Sequence, residues 1–129
     1  MIENATATYS LTLNVQPTGN VTITPSSSDT ALATVSAPLV FTQANWTTSQ
    51  SVMVSGVDNP ISNADVSLNL THTIAGGNYD NTLIANVALS VTDNDTIGIR
   101  ASNISSVTTE TYRTATFTLV LDTQPTAAV

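Results

Sequence analysis

With 129 residues the chain has room for one β-domain and part of a second, and it contains no cysteine, so a disulfide framework or a cysteine-ligated zinc site is excluded. Charged residues make up 9% of the chain and the only cations are Arg100 and Arg113, so solubility rests on Thr, Ser and Asn with a net charge of −7. That balance repels nucleic acid, which needs a basic face, and anionic membrane surfaces, and it favours cations as counter-species.

No apolar run reaches the roughly 20 residues of a membrane helix, so no membrane insertion is expected. Met1-Ile2-Glu3 lacks the basic and apolar regions of a signal peptide, and Met1 reads as an added start or an internal cut through a longer protein.

In chain order, Ala7, Tyr9, Leu11 and Leu13 alternate with Thr6, Thr8, Ser10 and Thr12, the two-residue period of a strand with one buried face. Gln16-Pro17-Thr18-Gly19 is a turn, because proline presets φ and glycine suits the exit. Val21 and Ile23 begin a second strand that Pro25 and the serines after it end, and Ser26-Ser27-Ser28-Asp29 is a polar loop. Ala33 with Val35, Leu39 with Phe41, and Val52 with Val54 and Gly56 are further short inward sets. Trp46, between Asn45 and Thr47, reads as a core plug beneath a loop, with a sugar-stacking platform as the alternative. Val66, Leu68, Leu70, His72 and Ile74 share one strand face, which puts the single histidine in phase with the core. Gly76-Gly77-Asn78 turns the chain, and Leu83, Ala85, Val87, Leu89 and Val91 are expected to form the last inward face. There is no helical period of useful length. Many short strands separated by polar turns argue for an all-β sandwich or barrel.

The stretch Val91-Thr92-Asp93-Asn94-Asp95-Thr96-Ile97 then acts as a seam, because the chain starts over after it. Residues 6–18 read TATYSLTLNVQPT and residues 114–126 read TATFTLVLDTQPT, an offset of 108 residues with eight of thirteen positions identical. Self-similarity at a fixed long period marks an array of domains. It favours a sandwich, whose termini sit at opposite poles.

If the strands simply alternate in direction, Glu3, Asp29, Asp58, Asp65, Asp93 and Asp95 fall at one pole and Asp80 at the other. Six carboxylates at one pole repel each other unless a hard cation neutralises them, and calcium takes about six to eight oxygens at roughly 2.3–2.6 Å. The alternative is a solvated acidic loop set. The spacing excludes an EF-hand.

The segments TATYSLTLNVQPTGNVTITPSSSDTALATVS, NWTTSQSVMVSGVDNP and VALSVTDNDTIGI resemble Calx-β-like tandem repeats of large bacterial surface proteins and adhesins, in register over nearly the whole chain. The resemblance implies an Ig-like Greek-key β-sandwich of about seven strands. It also implies calcium between one module and the next, on Glu3, Asp58, Asp93 and Asp95, with Asp29 and Asp65 as further candidates. The chain departs from the pattern in having Asn59-Pro60 after Asp58, Asn94 within the seam and Asn4-Ala5 after Glu3, so fewer carboxylates are present. On this reading residues 1–96 are one repeat lacking its first strand. Residues 97–129 begin the next, folded back to complete the sandwich or swapped with a neighbour in a homo-oligomer.

The expected function is a structural spacer repeat at a bacterial cell surface or in a secreted protein, whose partners are adjacent repeats of the same polypeptide. The alternative is a glycan- or protein-binding module using Trp46, Tyr79 and Tyr112. An enzyme is not expected: His72 is the sole candidate base for a nucleophile and lies in core phase, and the acids sit in loops without an aromatic-rich cleft.

Overall fold

The computed structural model describes residues 1–103 and 114–129, and Tyr112 and Arg113 lie outside the described residues. Every regular element among the described residues is a β-strand, and all ladders between strands are antiparallel. The chain divides into two units, Met1–Asn59 with Ala64–Asp93, and Pro60–Asn63 with Asn94–Val129.

The first unit holds seven strands: β1 (Thr6–Leu11), β2 (Val21–Ser27), β3 (Ala33–Val35), β4 (Leu39–Phe41), β5 (Gln50–Gly56), β6 (Val66–Ala75) and β7 (Val87–Val91). They form a three-stranded sheet in the order β1-β5-β3 and a four-stranded sheet in the order β4-β2-β6-β7. Alternation explains what each sheet buries. Val52 and Val54 of β5, Val21 and Ile23 of β2, and Leu68 and Leu70 of β6 are all buried, two residues apart on their strands.

Residues of both sheets meet in one core cluster, where Ala33 and Val54 pack with Leu68, Leu70 and Val91. Leu13, Val21, Ile23 and Phe41 form the other, flanked by Leu11, Trp46, Tyr79 and Ile84. The result is β-sandwich-like. Burying each such side chain stabilises by about 1.5–3 kcal/mol, which is how a domain without disulfides holds together.

The loops at one end are stapled together. Tyr79 Oη donates to the Val15 carbonyl at 2.7 Å, and the Thr18 amide donates to Asn78 Oδ1 at 3.2 Å. Gly76 and Gly77 take φ values of 93° and 53°. A Cβ at Gly76 would run into the Asn20 carbonyl oxygen, and one at Gly77 would lie 2.7 Å from Val21 Cγ2. Both positions therefore require glycine.

The second unit contains β8 (Ile99–Ala101) and β9 (Leu119–Leu121), paired in a sheet of two. The described residues thus hold nine strands in three sheets, where about seven were expected. The surplus is the two-stranded ribbon of the second unit. A second difference is the phase of residues 83–86. Leu83 is 96% exposed, Ile84 packs on the core instead, and β7 starts only at Val87. Residues 83–86 are not a strand, so the alternation of β7 does not carry back through them.

Candidate metal centre

In the first unit the strand register brings several acid-bearing loops to one end. The end of β2 lies near the start of β6, and the start of β6 pairs with the end of β7, as Val66 opposite Val91. In the other sheet the start of β1 pairs with the end of β5, as Thr6 opposite Ser55, and Ala33 lies opposite Gly56. The N-terminal residues join the two sheets. Ile2 forms a parallel bridge with Thr92, the Glu3 amide donates to the Thr92 carbonyl at 3.0 Å, and the Thr92 amide donates to the Met1 carbonyl at 2.8 Å. Asn4 then takes a left-handed φ of 57°, which turns the chain from that bridge into β1. Asp29, Asp58, Asp65, Asp93 and Glu3 therefore leave the first unit at one end. Asp80 lies in the stapled loops at the other, accepting from the Gly76 amide at 2.8 Å.

Glu3 is the buried acid of this end, at 4% exposure. Its Oε1 accepts from Asn59 Nδ2 at 2.7 Å. One carboxylate oxygen of Glu3 and one of Asp93 come within 4.8 Å of each other. Asp65 supports the same corner: its Oδ1 accepts from the Asp93 amide at 3.3 Å and its Oδ2 from Thr92 Oγ1 at 3.4 Å. Two carboxylates this close, one of them out of water, carry a repulsion that a cation between them relieves. The donor set is all oxygen, which suits a hard divalent cation such as calcium rather than a soft metal.

Two further acids of the first unit take other places. Asp29 is exposed and turns its own loop, accepting from the Ala31 amide at 2.9 Å. Asp58 is exposed. Asp95 belongs to the second unit. Of the six acids expected from sequence, the first unit thus brings Glu3 and Asp93 together, with Asp65 bracing Asp93. Asn59 is the contributor that sequence reasoning missed. Its signal was its place in the Asp58-Asn59-Pro60 loop, read there as a missing aspartate.

A different pair of polar side chains lies between the sheets. Tyr9 Oη and His72 Nε2 are 2.6 Å apart, in a half-buried setting. Burial pushes the His72 imidazole below its ordinary range, with the Ala85 backbone acting the other way, and burial pushes the Tyr9 hydroxyl up. With the ring proton on Nδ1, the tyrosine donates and Nε2 accepts. Trp46 is half-buried against the core beneath its turn. No protein-family model, curated protein or solved structure matches this chain.

Proposed function

We propose that this chain is a structural spacer repeat of a bacterial cell-surface or secreted adhesin-like protein, of the Calx-β-like kind and Ig-like Greek-key topology. The observation that carries the reading is the replicated segment, residues 6–18 and again 114–126. A chain that restarts the same segment after a polar seam is organised to be strung in series, with adjacent repeats as its partners. The seven strands of the first unit, three in one sheet and four in the other, support the topology.

Calcium at the acidic end is the second part of the proposal. Glu3 and Asp93 supply carboxylate oxygens, Asp65 braces the corner, and the ion relieves the repulsion between them. An ion held there stiffens the end from which the chain passes to the next repeat. Thermal unfolding with calcium and with chelator tests it. At a hundredfold excess over Kd, calcium adds about 2.7 kcal/mol and the midpoint rises. Superimposable curves remove calcium from the proposal and leave the spacer.

The glycan-binding alternative draws less support, because Trp46 spends much of its ring on the core. No catalytic role is assigned.

A further inference from the structure

β1 is the edge strand of its sheet, and the repeat of its last residue and the two that follow, Leu119–Leu121, is β9, which pairs with β8. In the first unit the Gly56 amide donates to the Ala5 carbonyl at 2.9 Å. Strand alternation therefore points the backbone groups of residues 5, 7, 9 and 11 at β5, and those of residues 6, 8 and 10 away from it; continued one residue past the end of β1 at Leu11, it turns residue 12 away as well. In the second unit the Ser102 amide donates to the Thr118 carbonyl and the Asp122 amide to the Gly98 carbonyl, both at 2.9 Å. The backbone groups of residues 118, 120 and 122 thus face β8. The 108-residue offset maps these onto residues 10, 12 and 14, which share the parity of the edge that β1 turns away from its sheet.

We propose that the outer edge of residues 10–14 is a docking site for residues 98–102 of a second copy of this chain. The register carries over from the β8–β9 ladder. Ile99, Arg100 and Ala101 lie opposite Leu121, Val120 and Leu119, so on the first unit they lie opposite Leu13, Thr12 and Leu11. The two leucines are the same in both copies of the motif, and threonine replaces valine between them.

Three observations favour the exchange. β8 sits on a ribbon of three-residue strands, and an isolated two-stranded ribbon is marginal in water, whereas β1 belongs to a sheet with a buried face. Leu13 is 7% exposed where its counterpart Leu121 is 38% exposed, so the new site is the better anchored of the two. Residues 6–14 also carry no charge and no proline, the usual guards of an edge strand. Against these stands the ion pair of Arg100 with Asp122, which becomes Arg100 with Asn14 on the first unit. That pair lies at the surface and is worth little. Each copy carries both the strand and the edge, so copies join head to tail.

The inference shares the replicated segment with the spacer reading but not calcium, and its test is run in chelator. The chain lacks cysteine, so two single-cysteine chains, Thr12→Cys and Arg100→Cys, are mixed under mild oxidation. The expected result is a mixed disulfide dimer at several times the yield of either chain alone. In parallel the sedimentation mass of the unaltered chain rises with concentration, while Thr12→Lys, which sets a second cation against Arg100, stays monomeric and folded. A chain monomeric at every concentration, a mixed dimer no commoner than chance, or a Thr12→Lys chain that associates like the unaltered one overturns the proposal. A double Thr12→Cys/Arg100→Cys chain that closes only within monomers does so too. None of these outcomes bears on whether calcium shifts the melting curve.

Discussion

Tyr9 of β1 and His72 of β6 tie the two sheets of the first unit together through a 2.6 Å hydrogen bond, their rings edge to face at 84° with centroids 5.5 Å apart. The pair reaches across the sandwich-like interior, so it fixes how one sheet sits on the other. Tyr9→Phe keeps the ring and deletes the bond, at an expected cost of about 1 kcal/mol. Urea unfolding measures it. The replica already carries Phe117 at this position, so an unfolded Tyr9→Phe chain would contradict the account.

The same pair sets a pH dependence. His72 has its folded pKa below the ordinary value of about 6.5, so the unfolded chain takes up the proton first. Its contribution to stability is fully present above that value and is lost as pH falls through the folded one. Tyr9, with its pKa raised above about 10, contributes fully below that pH and loses its contribution as pH rises through the folded value. Melting midpoints of the unaltered chain and of His72→Gln are expected to converge between neutral and mildly acidic pH. Parallel curves would exclude His72 as the titrating group.

At the acidic end, Glu3→Gln keeps a side-chain oxygen for the Asn59 amide and removes one charge facing Asp93. In chelator the variant is expected to be as stable as the unaltered chain or more so, because a repulsion has gone. With calcium it is expected to lose most of the rise in melting temperature. A full rise in Glu3→Gln would place the ion elsewhere.

The phase of residues 83–86 is open to a paired substitution. Leu83→Asp should change stability by no more than about 0.5 kcal/mol. Ile84→Asp puts a carboxylate against the core cluster of Leu13, Val21, Ile23 and Phe41 and should cost about 1–3 kcal/mol. The opposite ranking would restore the sequence-derived phase.

That segment shows where the sequence was readable. Long alternating runs such as Leu68 and Leu70 of β6, or Tyr9, Leu11 and Leu13, declare their buried face because one sheet face must be apolar. Residues 83–86 alternate as well, but strand formation there depends on a ladder partner, and the ladder opposite β6 begins only at Val87. The shared end of Glu3, Asp65 and Asp93 followed from counting strand reversals. The convergence of Glu3 on Asp93 did not, because it depends on the parallel bridge of Ile2 with Thr92, which no local pattern announces. Asn59 was hidden for a similar reason: its role comes from the partner that the fold sets opposite it.

The claim under all of this is that 108 residues are one structural period. Joining residues 19–93 directly after Thr126 supplies the replicated segment with the rest of a module in the original order. Differential scanning calorimetry of that longer chain is the direct test. If the period is structural, the unfolding enthalpy rises by about 50 kcal/mol near 60 °C, as 75 further folded residues require. An enthalpy equal to that of the 129-residue chain, with the added segment unstructured, would contradict it.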